Sequence, residues 1–144
     1  MSASKISCRF MCDLQRHLGV GVNIQHVHYD LLAKTVIGNE YALPERPVKR
    51  VDGYYVADDG QRIVIEFLGD AYHGHPSRWG PNNDQRNHLG KLHKENFEHT
   101  ERMFEQVAAL GYVVRYVWES EYRQLKALQS PLSILREFQG KLEY

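Results

Sequence analysis

The chain has 144 residues, with 18 Lys and Arg against 18 Asp and Glu, and two cysteines. That length suits one domain with a real core. The neutral balance excludes a chain that is basic throughout and leaves only local patches as a route to nucleic acid. Two cysteines exclude a disulfide-dense scaffold.

Cys8 and Cys12 stand in C-x3-C spacing, which could serve a metal site or a disulfide, but no second half of a zinc site is evident. Two reduced thiols are therefore the first reading, and no structural zinc is expected. No apolar run reaches transmembrane length and no signal-peptide core opens the chain, so the expectation is an intracellular protein with no membrane partner.

Residues 1–5 read as frayed, and residues 6–18 carry apolar side chains at helical spacing up to Gly19. Residues 20–28 alternate as a strand would, which places His26 and His28 on one face. Residues 30–37 fit either a helix or a surface excursion, and Gly38, Pro44 and Pro47 break regular structure over 38–47.

Residues 51–56 and 62–68 read as two strands of a hairpin, turned by Asp58, Asp59 and Gly60. Residues 76–87 form a polar loop rich in breakers, with an exposed Trp79.

The longest predicted helix spans 89–110, with Phe97, Thr100, Phe104 and Val107 on one stripe and Lys94, Glu98, Glu101 and Glu105 opposite. Glu98 and Arg102 are spaced for an i,i+4 pair, and Gly111 is placed to cap the helix end. Residues 112–118 read as a strand; a helix between two strands implies a crossover and parallel pairing. Ser130 and Pro131 open a last predicted helix over 130–142, with Leu132, Leu135, Phe138 and Leu142 on its apolar stripe.

The chemistry concentrates between residues 52 and 75. Glu66 is the one charge inside the apolar run after Arg62, where a carboxylate is costly unless paired, hydrogen-bonded or metal-bound. Asp52 lies in the partner strand, close enough across a hairpin to share a hard cation with Glu66. His73 and His75 follow, and either can move a proton near neutral pH.

The plainer readings are a turn-bonding Asp52, an ion pair of Glu66 with Arg62, Arg50 or Arg115, and two surface histidines. Lys49, Arg50, Arg78, Arg86 and Lys91 can rim the acids with positive charge, and Tyr72 and Trp79 can supply stacking surface. A solvated helix face accounts equally well for Lys91, and a core plug for Trp79.

With these residues in view, the chain resembles the PD-(D/E)XK nuclease superfamily, in particular its very-short-patch-repair-like branch. The resemblance rests on Val51-Asp52-Gly53-Tyr54, Ile65-Glu66-Phe67-Leu68-Gly69 and Tyr72-His73-Gly74-His75. Arg102, Gly111-Tyr112 and Trp118-Glu119 complete it, over about residues 24–120 of a single domain.

It implies an α/β fold of restriction-endonuclease-like type, a mixed four-stranded sheet flanked by helices. It also implies Mg²⁺, for which Mn²⁺ substitutes, and cleavage of DNA phosphodiesters. In that scheme Asp52 is the central metal ligand and Glu66 the second acid, His73 is the acid/base group, and Glu40 is the candidate further glutamate. Leu68 stands where the superfamily has its lysine, and Asp70 where related sequences often have cysteine.

Three function classes follow: a metal-dependent DNA endonuclease, a non-catalytic DNA-binding protein on the same fold, and a metal hydrolase of small phosphoesters. A homodimer or a partner protein would serve an endonuclease that cuts both strands.

Overall fold

The structure is a computed structural model that describes residues 4–30, 32, 35–38 and 40–144, with 28–30, 35–37 and 48 described for the backbone alone. Helix α1 (Lys5–Leu18) begins at Ser4, whose hydroxyl accepts the Ser7 amide at 3.2 Å, and ends at Gly19. Strand β1 (Gln25–His26) leads to two short antiparallel ribbons, β2 (His28–Asp30) with β3 (Thr35–Ile37), and β4 (Tyr41–Leu43) with β5 (Arg46–Val51).

Strands β6 (Gly53–Val56) and β7 (Arg62–Leu68) pair across the expected turn, where Gly60 adopts φ 85°. Helix α2 (Asp70–His73), a 3-10 turn at Pro76–Arg78 and helix α3 (His93–Ala109) precede β8 (Val113–Trp118). Helix α4 (Glu119–Gln124), a second 3-10 turn (Pro131–Ile134) and β9 (Arg136–Glu137) close the chain.

The main sheet runs β1-β6-β7-β8-β9. It is mixed: β7 and β8 are parallel, as the α3 crossover requires, and the other pairs are antiparallel. Strand β7 lies at its centre and is buried from Ile63 to Leu68. Its alternation divides the core: Ile63, Ile65 and Phe67 pack with Phe10, Met11 and Leu14 of α1, and Val64 and Leu68 pack with Phe97, Phe104 and Val107 of α3. Among the described residues no helix is long and apolar enough to cross a membrane.

Several expectations need correction. The sheet has five strands rather than four, because two-residue strands β1 and β9 extend its edges. Residues 28–30 and 35–37 pair as the β2–β3 ribbon, so these described residues are strand rather than the helix that is one of the two sequence readings; β-branched Thr35, Val36 and Ile37 suit a strand. The strand read over 20–28 shrinks to β1 and the start of β2; His26 is buried with Nδ1 on the Val27 carbonyl, and the His28 side chain lies outside the described residues. Residues 1–3 of the frayed start lie outside them too.

Pro47 does not stop β5, because the β4–β5 register jumps from Ala42–Arg50 to Leu43–Arg46 and Pro47 falls in the irregular stretch. Helix α3 starts at His93 instead of 89, since Gly90 takes φ 78° and Arg86 bridges Leu92 across a tight loop. Glu98 pairs with Lys94 at 4.0 Å, one turn before it, and not with Arg102.

The last helix is absent: after the 3-10 turn the chain runs extended. The Phe138 amide bonds to the Val114 carbonyl, Leu142 N to Glu101 Oε2, and Glu143 N to the Tyr116 hydroxyl. Phe138 and Leu142 still reach the core, delivered by an extended tail instead of a helical stripe.

Candidate active site

The two acids meet because of where β6 begins. Gly53 pairs with Ile65, so one more step in the same register sets residue 52 across from residue 66. The chain bends at Asp52 and leaves the Phe67 amide beyond the last rung of the ladder. Asp52 Oδ2 accepts that amide at 2.8 Å, a side chain doing the job of a strand. Thus Asp52 lies just before β6 and not within it.

Glu66, 8 % exposed, points to the α3 side between Val64 and Leu68. The carboxyls of Asp52 and Glu66 stand close enough to interact directly and to perturb each other's protonation. Burial pushes both upward, and for Glu66 the charge of Asp52 adds to the rise. Glu40 is half-buried within electrostatic range of Asp52, and burial followed by that charge raises its carboxyl as well.

Lys49 is the partner of Glu66. The register jump in the β4–β5 ribbon turns its side chain toward the main sheet, and Nζ stands 3.5 Å from Glu66 Oε1. This is an ion-pair distance without hydrogen-bond geometry: Glu66 Oε1 is buried and has no hydrogen-bond partner among the described residues. Arg62 and Arg115, the partners considered from sequence, instead pair with Glu45 and Glu137. Lys49 therefore puts an ammonium beside the acids although residue 68 is leucine.

His73 closes α2 against α3. Gly74 follows it with φ 70°, and a Cβ at that glycine would lie 1.8 Å from the His93 carbonyl oxygen, so only glycine lets the two helices approach. His73 Nδ1 lies 2.9 Å from Thr100 Oγ1, which in turn bonds to the Asn96 carbonyl at 2.9 Å. Burial first, then the charges of Lys49 and His99, lower the imidazole to about 4. His73 is thus neutral at neutral pH.

A cleft of about 320 Å³ is walled by Lys49, Glu66, His73, Tyr72, Lys91 and the α3 residues Asn96, His99 and Thr100; Asp52 and Glu40 do not line it. Of the expected rim, Lys49, Tyr72 and Lys91 line the cleft; Tyr72 is 49 % exposed, with its ring edge on His88. Arg50, Arg78 and Arg86 do not line it; Arg86 is exposed and bonds to the Gly90 carbonyl.

Trp79 is half-buried and not exposed: it donates to the Gly74 carbonyl at 2.9 Å and packs edge-on against Phe97. His75 stays out of the cleft. Its Nδ1 accepts the Ser77 amide, and its ring rests on Trp118. Asp70 is buried, with Oδ1 accepting the Ser120 amide at the start of α4. Cys8 and Cys12 form no disulfide.

Among the described residues no three His, Cys, Asp or Glu side chains stand together as a ready ion cage. The donor set nevertheless fits a hard cation: two neighbouring carboxyls and an orphaned buried oxygen on Glu66, both acids raised by burial.

Thr100, His99 and Asn96 are the site residues that sequence reasoning misses; it names Lys49 as a rim cation but not as the partner of Glu66. Sequence pattern puts Lys49 on the rim and Thr100 on the apolar stripe. The available signal was the hydroxyl of Thr100 on an otherwise apolar helix face. No protein-family model, curated protein or solved structure matches the chain.

Proposed function

We propose that the chain is a Mg²⁺- or Mn²⁺-dependent DNA endonuclease on a restriction-endonuclease-like core of the very-short-patch-repair kind. The observation that carries this reading is the neighbouring carboxyls of Asp52 and Glu66, with Lys49 3.5 Å from Glu66 and with Glu66, Lys49 and His73 lining one cleft. Asp52 and Glu66 would hold the ion, with Glu40 beside them. When bound, the ion polarises the phosphate and acidifies water.

The rest of the reaction falls to the chain's own residues. Neutral His73 accepts a proton from the attacking water as its oxygen bonds to phosphorus. The phosphorus–ester bond breaks, and the leaving oxygen takes a proton from solvent. Lys49 sets a positive charge where the phosphate gains negative charge, the task that lysine performs in the superfamily from the position of Leu68. Tyr72 and Lys91 offer a ring and a charge to the nucleic acid at the cleft mouth. The resemblance of the three motifs supplies DNA as the substrate.

A second reading, hydrolysis of a small phosphoester, draws on the cleft volume of about 320 Å³, which lies in the range of small-molecule sites. Single-turnover assays with and without Mg²⁺ separate the two, using linear, nicked, mismatched, branched and single-stranded DNA beside a panel of phosphomonoesters. The expected result is Mg²⁺-dependent DNA cleavage that Asp52→Asn lowers by roughly 10³-fold while DNA binding persists. Cleavage by Asp52→Asn at the wild-type rate would remove the site. DNA binding without cleavage by the wild type would leave a non-catalytic binding protein, and turnover of phosphomonoesters alone would favour the second reading.

A further inference from the structure

Thr100 is 5 % exposed and shares its helix face with Phe97, Phe104 and Val107. A β-branched hydroxyl residue is a poor choice there for helix stability, so its presence asks for a reason. Its hydroxyl has one proton. Oγ1 is 2.9 Å from the Asn96 carbonyl, a group that only accepts, and 2.9 Å from His73 Nδ1. With the proton given to Asn96, Oγ1 meets the imidazole as an acceptor, and Nδ1 must carry the ring hydrogen.

The other side of the ring agrees. The hydrogen bond of His73 is made by Nδ1, which leaves Nε2 without one among the described residues. It shares the cleft with the Lys49 ammonium, which is all donor, so a lone pair on Nε2 is complementary and an N–H is not. A solvated histidine side chain prefers the opposite form, hydrogen on Nε2, so this state is imposed by the site.

We infer that Thr100 is a positioning residue: its hydroxyl, bonded back to its own helix, holds His73 in the Nδ1–H tautomer and so presents the Nε2 lone pair to the cleft as the proton acceptor. This assigns a direction to His73. It starts the reaction as a base, and any acid step on the leaving group belongs elsewhere. The inference rests on the reading of the cleft as a hydrolytic site, but its first readout does not.

Ring ¹⁵N and ¹H NMR of the full chain without divalent ion reports the tautomer directly, with His73→Gln assigning the signals. Wild type and Thr100→Ser should show Nδ1–H, and Thr100→Val should shift His73 toward Nε2–H. In single-turnover cleavage Thr100→Val should lose roughly 10²-fold or more, as expected when a catalytic histidine is held in the wrong tautomer. Thr100→Ser should restore the rate, with DNA affinity unchanged in both.

Thermal melts verify folding, and Thr100→Ala takes the place of the valine variant if that does not fold. Wild-type His73 found as Nε2–H, ring shifts indifferent to loss of the hydroxyl, or a tautomer change without a rate change would each overturn the inference. If the tautomer responds as expected and the wild type cleaves no DNA under any condition, Thr100 still sets His73 and the proposed function is what fails.

Discussion

Toward α1, strand β7 sends Ile63, Ile65 and Phe67 into a cluster with Phe10, Met11, Leu14 and Tyr122. Toward α3 the same strand sends Val64, Glu66 and Leu68. The α1 face is filled by rings and branched chains, with Phe10 edge-on to Tyr122 and tilted against Phe67. Each such side chain contributes roughly 1.5–3 kcal/mol by leaving water.

The α3 face gives up that gain at one position. A buried carboxyl at Glu66 carries an energetic cost from desolvation, which the neighbouring Asp52 increases and Lys49 partly offsets. One face therefore stabilises the fold, while the other holds a group whose charge the fold disfavours. On the proposed function, a cation or a substrate that changes the local charge would find its leverage on the second face.

Substitutions can break or sharpen this contrast. The largest effect should come from the α1 face: Phe10→Ala should cost about 3–5 kcal/mol in urea unfolding. A loss below about 1 kcal/mol would mean that this face is not packed as described.

On the α3 face the first test is acid. The unfolded imidazole of His73 titrates near 6.5 and the folded one at about 4, so the unfolded chain takes up the extra proton. Stability from this group is full above about 6.5 and is lost as pH falls toward 4, by up to roughly 3 kcal/mol. His73→Gln should flatten that limb of the stability profile; an unchanged limb would place the titration elsewhere.

The third test has the opposite sign. The folded Glu66 carboxyl is raised, so its contribution is favourable below the ordinary carboxylate range and is lost as pH rises through the raised value. Glu66→Gln should therefore stabilise the metal-free chain by roughly 1 kcal/mol in alkaline buffer and have no effect in acid. Destabilisation at high pH would show that the ion pair with Lys49 outweighs desolvation.

The smallest effect concerns DNA. Arg50→Ala with Lys91→Ala, at and beside the cleft, should lower the slope of log affinity against log salt by about 0.9 for each phosphate left without its cation. Arg9→Ala with Lys126→Ala should leave it unchanged, because those residues line a separate cleft of about 400 Å³ on the α1 side. Equal responses on both sides would end the distinction between the faces as far as DNA is concerned.

Local pattern was enough for the elements that make the sheet and cover it. Helical spacing over 6–18, the apolar run ending at Leu68 and the stripe of Phe97, Thr100, Phe104 and Val107 read correctly, since each is decided within a few turns or one strand; the helix starts at Lys5 and His93 did not. Local pattern also singled out Glu66, because a carboxylate in a buried strand is a conflict visible without coordinates. It misread the tail after Ser130, where spacing suited a helix but edge pairing with β8 and hydrogen bonds to Tyr116 and Glu101 hold the chain extended.

By itself, then, the sequence determined a mixed sheet with helices on it and two acids near one another. Hairpin register couples positions 52 and 66 within one supersecondary unit, so short-range geometry sufficed. Only the tertiary structure decided what meets those acids. A register jump beside Pro47 turns Lys49 onto Glu66, and glycine-tight packing of α2 on α3 sets His73 against Thr100, 27 residues away in the chain. Those contacts depend on side chains aimed across elements by bulges and close packing, and a one-residue change in register would aim them elsewhere with the same composition and the same periodicity.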